Sequence, residues 1–412
     1  PSPGVTAPGL KPRSVDTSTL GYGETLGPAP AARTATTASR AALPDAARTT
    51  VLPAVELRAS NVTLVHSAKT RFVPLKTLGL GGVGEVELMM DEDIQRSVAV
   101  KRLRQDRMSD EGVARFVEEI RTVGQLEHPN IVPIHDVGVD EQGRYYFMMK
   151  YVDGETLESI IQGLAAGKPE YHQRFPFNVR TQLFVSVLQA IGYAHAHGVI
   201  HRDIKPANIM VGRFGEVMVM DWGLARPIRG RELPGVPTGA PDPRGLQTRQ
   251  DTLMGTPAYM SPEQARGDNE ALDERTDIYS LSVVFHELLT LRHYLSGAET
   301  LDQVLSGVAS LEPRGPREVR HPHQKLPPAE LIHFTHRGMD KDPARRFSSV
   351  AEMMAEVQDI LRGRVRVQCH VTLLKRVNHE AMTLLDSYPR STTVVAVAAG
   401  AAGVWALLHG ML

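Results

Sequence analysis

His201-Arg202-Asp203-Ile204-Lys205-Pro206-Ala207-Asn208 is the stretch on which the reading of this chain turns. Pro206 forbids a regular helix through it, so an acid, an amine and an amide share one loop and can converge. Asp203 can accept a proton from a hydroxyl, Lys205 can sit against a phosphate, and Asn208 can offer a carbonyl oxygen to Mg²⁺. Phosphoryl transfer needs that equipment, because its catalysis is mostly positioning and charge neutralisation. A polar surface loop could hold the same residues, so the weight of the match depends on partners elsewhere in the chain.

Working outward, Val179, Leu183, Val187 and Ile191 recur every four residues as one apolar helix face that ends by Gly198 and leads into the loop. His195 and His197 read as residues of its last turn, since no third ligand has spacing suited to a metal. Beyond the loop, Ile209-Met210-Val211 and Val217-Met218-Val219-Met220 read as a hairpin that delivers Asp221-Trp222-Gly223.

Far upstream, Phe72-Val73-Pro74-Leu75-Lys76-Thr77-Leu78 reads as a strand, followed by Gly79-Leu80-Gly81-Gly82-Val83-Gly84-Glu85-Val86. Missing Cβ atoms let such a backbone lie close over a polyphosphate. G-x-G-x-x-G also occurs in dinucleotide folds, but there a helix follows. Here the strand Val86-Glu87-Leu88-Met89-Met90 follows, and Val98-Ala99-Val100-Lys101 places a lysine on a third strand. Ser109 or Asp110 caps the next helix, which runs to about Leu126 with Phe116, Ile120 and Val123 at helical spacing and carries Glu118 and Glu119. Two more strands are expected, from Ile131 to Val139 and from Tyr145 to Val152. The pattern turns helical at Thr156, with an inserted loop from Gly163 to Phe177.

After a Pro-, Gly- and Arg-rich excursion over residues 226–250 comes Gly255-Thr256-Pro257-Ala258-Tyr259-Met260-Ser261-Pro262-Glu263. Asp277 opens a strongly apolar helix. A last helix starts with the capping box Ser349-Val350-Ala351-Glu352, buries Val350, Met353, Val357 and Leu361, and stops at Gly363.

In this order the motifs resemble the bacterial eukaryotic-type (Hanks-type) serine/threonine protein kinases, over residues 71–363. The resemblance implies an α+β, two-lobed fold: a small antiparallel β-sheet lobe with one helix (71–150), a larger mostly helical lobe (151–363), and ATP between them. It assigns Leu78, Gly79, Gly81, Gly84, Val86 and Ala99 to the nucleotide. Met149 guards the back of the adenine pocket, and backbone groups of Lys150 and Val152 bond the base. Lys101 holds the α/β-phosphates and pairs with Glu119, while Glu118 points away to solvent. Asp203 accepts the substrate proton, Lys205 neutralises the transferred phosphoryl, and Asn208 and Asp221 bind Mg²⁺, with Mn²⁺ as an alternative. Asp277 braces the catalytic loop, and Glu263 forms a buried ion pair with Arg346. Thr256, with Lys205, marks the Ser/Thr branch, its hydroxyl held against Asp203 and Lys205. Arg202 meets a phosphate on the activation segment, where Thr248 and Thr252 are the candidates for trans-autophosphorylation. Trp222 stands where a Phe is usual, so a larger ring must fit under the glutamate helix. Ser261 and Ser282 replace a usual Ala and a common Gly.

The flanks read differently. Residues 1–60 form an Ala/Pro/Thr-rich tail, expected to be disordered because it cannot bury enough surface to offset chain entropy. Residues 364–391 are a basic juxtamembrane segment, and residues 392–412 have no Asp, Glu, Lys or Arg. That is about the length of a bilayer span, although a buried C-terminal helix fits the same run. Lys and Arg precede it and none follows, which predicts a single pass through the inner cell membrane with the kinase domain cytoplasmic. Ala396/Gly400 and Ala399/Gly403 offer small-residue pairs for a homodimer in the membrane. One cysteine, Cys369, excludes an internal disulfide, and a net charge of −1 gives no reason to expect nucleic acid. The partners expected are protein substrates and the membrane. The rival function is that of a catalytically inactive pseudokinase scaffold that binds ATP or partner proteins.

Overall fold

The computed structural model describes residues 49–58, 61–66, 69–81, 84–228, 257–268, 272–316, 318–364 and 371–377. The sequence reading carries the tail to residue 60. The structure instead pairs β1 (Ala54–Arg58) with β2 (Asn61–Val65), setting Val55 opposite Leu64 and Leu57 opposite Val62. These apolar and β-branched residues suit a two-stranded ribbon; they are hidden in the reading by the small residues that dominate the tail's composition. Asp93 Oδ1 fastens the ribbon's approach by accepting the N–H groups of Val51 (2.8 Å) and Leu52 (2.9 Å).

The small lobe is an antiparallel sheet in the order β3-β4-β5-β7-β6. Its strands are β3 (Phe72–Leu80), β4 (Gly84–Asp91), β5 (Arg96–Leu103), β6 (Ile134–Val139) and β7 (Tyr145–Lys150). Ser109 caps α1 (Asp110–Gly124), which packs on one face of the sheet through Phe116, its ring 5.4 Å from Phe147. Met89, Val98, Val100 and Met148 fill a second cluster. The strand expected from Ile131 starts later, at Ile134. Ile131 is drawn instead into an isolated parallel bridge with Val219 of the large lobe. Likewise β7 stops at Lys150, leaving residues 151 and 152 as the link between lobes.

In the large lobe, Thr156 caps α2 (Leu157–Ala165). The loop expected over 163–177 is corrected: α2 runs into it, and Pro169, within the first turn where its missing N–H costs nothing, starts α3 (Pro169–Arg174). Tyr171 and Arg174 of α3 both bond the Glu155 carboxylate, each at 2.7 Å. Next come α4 (Phe177–Ala196) and the short strands β8 (Gly154–Thr156), β9 (Val199–Ile200), β10 (Ile209–Gly212), β11 (Val217–Val219) and β12 (Arg226–Pro227). β10 and β11 form the expected hairpin.

Helices α5 (Pro262–Arg266), α6 (Glu274–Thr290), α7 (Leu301–Ser310), α8 (Ala329–Gly338) and α9 (Val350–Leu361) complete the lobe. The core lies where α4, α6 and α8 meet: Phe184 and Phe285 stack at 4.0 Å, with Phe334 edge-on to both. A Cβ on Gly338 would meet Ser282 Oγ at 1.8 Å, so the serine on α6 is matched by a glycine on α8.

Two details of α9 depart from the sequence reading. Ser349 caps it, but Glu352 turns its carboxylate to the N–H and Oγ of Ser348 and to Arg337, so the capping box is half formed. Leu361 is exposed, because the buried face ends a turn earlier at Val357. Gly363, at φ +79°, stops the helix as expected. Residues 371–377 are helical, and Lys375 reaches Glu330 at 2.7 Å. The proposed bilayer span (392–412) and Thr248, Thr252 and Thr256 lie outside the described residues. Among the described residues no helix is long and apolar enough to cross a membrane.

Candidate active site

Strand β5 carries Lys101 in register with Val86 of β4 and Phe147 of β7, at the edge of the cleft between lobes. Its Nζ donates to Glu119 Oε1 at 2.6 Å and to Asp221 Oδ1 at 3.1 Å. Burial opposes the charge, but the two carboxylates win and hold the ammonium above the usual lysine range. The same contact, with Lys101 as its main cause, keeps Asp221 below the usual carboxylate range. Helical phase separates the two candidate glutamates: Glu119 is buried, while Glu118 is half-buried and makes no part of this network. Two glycines lie at close approaches, and the first is required by one to backbone. A Cβ on Gly84 would sit 2.8 Å from the Arg102 carbonyl oxygen, and one on Gly223 would sit 3.2 Å from Glu119 Oε2.

Ala99 faces Met149 across the sheet, with Ala99 buried, Met149 and Val86 half-buried, Val152 buried and Leu78 exposed. Leu78, Gly79 and Gly81 lie on or just after β3, opposite β4. The Lys150 N–H is taken by the Pro133 carbonyl at 3.2 Å.

The catalytic loop hangs from Asp277 at the start of α6. One carboxylate oxygen accepts the His201 N–H and the other the Arg202 N–H, both at 2.8 Å. Arg202 (φ +68°) and Asp221 (φ +59°) both adopt left-handed backbone, which costs about 1–2 kcal/mol for a residue with a Cβ and so requires support. His195, which the sequence offered only as a helix-end residue, places Nε2 2.8 Å from Asp277 Oδ2. Burial pushes Asp277 toward the neutral form; His195 and the loop amides outweigh it, so the carboxyl lies below its usual range. The available signal was position: His195 lies in the last turn of the helix feeding the loop.

Within the loop, Asp203 Oδ2 accepts from Lys205 Nζ at 2.8 Å and from Asn208 Nδ2 at 3.2 Å, and Asn208 Nδ2 also meets the Asp203 carbonyl at 2.9 Å. Among the described residues Asp203 Oδ1 has no hydrogen-bond partner. Burial raises the Asp203 carboxyl above its usual range, and Lys205 offsets part of that rise. Trp222 is fully buried 4.5 Å from the His201 ring, so the larger side chain is accommodated, and among the described residues its Nε1 meets no acceptor. Beneath the site Glu263 and Arg346 form the expected pair through two contacts of 2.8 and 2.9 Å, both side chains enclosed.

Asn208 spends its amide nitrogen on Asp203, which leaves its oxygen as the donor for a cation, and Asp221 supplies a carboxylate open to the cleft. Two hard oxygen donors fit Mg²⁺, which takes few protein ligands beside phosphates and water. Among the described residues no group of three His, Cys, Asp or Glu converges on a metal position. A separate cavity of about 520 Å³ is lined by His128, Tyr193, His195, Glu274 and Val350 and by none of Lys101, Glu119, Asp203, Asn208 or Asp221.

This lysine–glutamate–aspartate bridge above a braced His-Arg-Asp loop is the arrangement expected of a protein kinase domain. The protein kinase domain family matches residues 72–358, and the chain belongs to it. Among curated relatives, the chain is 34% identical over 309 residues to the serine/threonine-protein kinase PknD of Protochlamydia amoebophila, covering 73% of this chain and 31% of that one. It is 36% identical over 291 residues to a probable serine/threonine-protein kinase, SCO3848, of Streptomyces coelicolor, covering 69% and 39%. It is 34% identical over 292 residues to serine/threonine-protein kinase PknB of Mycobacterium tuberculosis, covering 69% and 42%. This chain thus spans well under half the length of these relatives.

Proposed function

We propose that this chain is a serine/threonine protein kinase that moves the γ-phosphoryl group of ATP to hydroxyls of protein substrates. The observation that carries the reading is the Lys101 ammonium held at once by Glu119 of α1 and Asp221 of the large lobe. That arrangement joins both lobes across the cleft, which the reaction requires. Nothing favours the scaffold reading, since Lys101, Asp203, Asn208 and Asp221 are all present.

Lys101 holds the α/β-phosphates. The substrate hydroxyl attacks the γ-phosphorus while the bond from that phosphorus to the β,γ-bridging oxygen breaks, and Asp203 takes the hydroxyl proton. Oδ1 is the acceptor for it, since among the described residues the partners of this carboxylate, Lys205 and Asn208, both lie on Oδ2. Lys205 neutralises charge on the group in flight. Asn208 and Asp221 would hold Mg²⁺, which supplies charge neutralisation at the phosphates when bound. The test is ³²P transfer from ATP to a generic basic protein by wild type and Asp203→Asn. Transfer by wild type and its loss in the variant support the reading; wild type that binds Mg·ATP and never transfers phosphate is a scaffold.

The uncharged run 392–412, preceded by basic residues, supports anchoring in the cell membrane with the kinase domain cytoplasmic. Equal solubility without detergent of chains with and without that run would rule this out. Confinement raises the effective concentration of a second copy, and Arg202 beside Asp203 suits a phosphothreonine at Thr248 or Thr252. Phosphate on either threonine of an Asp203→Asn copy, after mixing with active kinase, is the expected sign of trans-autophosphorylation.

A further inference from the structure

Outside the catalytic groups, one side chain ties the docking stretch to the peptide just before Asp203. Ser261, fully buried, caps α5, and its Oγ accepts the Gln264 N–H at 3.3 Å. Gln264 answers by accepting the Ser261 N–H on Oε1 at 3.0 Å, which completes the capping box. The cap needs nothing more from that amide. Yet its other end, Nε2, donates to the Arg202 carbonyl oxygen at 3.0 Å.

Arg202 is thereby held on both sides: its N–H by Asp277 and its carbonyl by Gln264. This is the residue with φ +68°, one position before the proton acceptor. The chemistry demands an amide at position 264. One end faces a donor, Ser261 N–H, and the other an acceptor, Arg202 C=O, and at neutral pH a side chain carrying both a carbonyl and an NH₂ serves both. A carboxylate would keep the cap and turn a charged oxygen onto a carbonyl oxygen. An aliphatic side chain would lose both contacts.

We propose that Gln264 is a positioning residue for phosphoryl transfer: with Asp277 it clamps the Arg202 peptide, sets Asp203, and couples that setting to the seating of the docking stretch. The inference rests on the kinase reading above and names a residue that reading does not use.

The test compares Gln264→Glu and Gln264→Leu with wild type in the full chain, by steady-state kinetics, thermal midpoint and amide hydrogen exchange of a peptide spanning residues 199–208. Gln264→Glu is expected to lower kcat about tenfold, the effect of losing one hydrogen bond and facing two oxygens. Its KM for ATP and its thermal midpoint should stay near wild type, and exchange in the 199–208 peptide should quicken. Gln264→Leu should lower kcat as much and also lower the midpoint, because it loses the cap. Relative to wild type, Gln264→Glu should recover as pH falls, since a protonated carboxyl can again donate to Arg202; a purely structural role gives no such recovery. Wild-type kcat and unchanged exchange in Gln264→Glu, with loss only in Gln264→Leu, would reduce the residue to a helix cap. If wild type itself transfers no phosphate, the kinase reading fails instead, and the exchange comparison alone decides the clamp.

Discussion

Two buried glutamates show how the same ion pair serves different ends. Glu263 meets Arg346 through both oxygens and also accepts from Thr276. Arg346 gives its other donors to the carbonyls of Asp340, Arg275 and Lys341 and lies over the Tyr279 ring. The charges cancel and every group is used. Glu119, in the cleft, shares Lys101 with Asp221, whose side chain is 46% exposed. Two carboxylates and one ammonium leave a net negative charge facing solvent. A closed, neutral network holds the fold; an open, unbalanced one has capacity for a cation and its phosphates.

The strongest way to break this contrast is in the cleft. Asp203→Asn is expected to cut phosphoryl transfer by about 10²- to 10⁴-fold, the range for a general base, while ATP affinity and urea midpoint stay near wild type. A large loss of stability would show that the cleft also holds the fold. The closed pair should do the reverse. Arg346→Ala leaves Glu263 charged and buried and should cost about 3–5 kcal/mol in urea unfolding. Between α6 and α8, Gly338→Ala drives a Cβ into Ser282 and should cost about 1–3 kcal/mol as overpacking; adding Ser282→Gly should restore most of it, as a double-mutant cycle would report.

Acid separates the two networks by sign. Burial raises Asp203, so its ionised form, and with it kcat, is lost as pH falls through a value above the usual carboxylate range. Lys205→Ala removes the offsetting cation and should move that acid limb higher. Burial also opposes the charge on Glu263, but Arg346 prevails and lowers its pKa. The stability it contributes is fully present above the unfolded value and is lost only as pH falls through the depressed folded one. A pH series of kcat beside circular dichroism should therefore show activity failing before the fold. The smallest effect is expected at the surface, where Lys375→Ala breaks the exposed pair with Glu330 and should change stability by about 1 kcal/mol or less.

Much of this was legible in order and spacing. A glycine-rich turn between two strands, a lysine on the third, Asp203 with Lys205 and Asn208, and Asp221 after a hairpin are local patterns, and local geometry carries their meaning. Glu119 over Glu118 followed from the family resemblance, through spacing from Phe116 and His128-Pro129. The ion pair of Glu263 with Arg346 and the brace at Asp277 were reachable through the family resemblance. Misreadings arose where a local rule had competition. Glu352 met Arg337 and Ser348 instead of completing a capping box, Ile131 was taken by Val219, and the 163–177 segment folded onto Glu155.

By itself, then, the sequence determined the two-lobed kinase architecture and nearly all the groups proposed to touch the reaction, because the motifs that carry the family resemblance are each short and local. Only the tertiary structure decided which groups hold those in place. His195 on Asp277, Gln264 on the Arg202 carbonyl, and Gly338 under Ser282 each join residues far apart in the chain, and no periodicity encodes a contact made by two elements that meet only when the core closes.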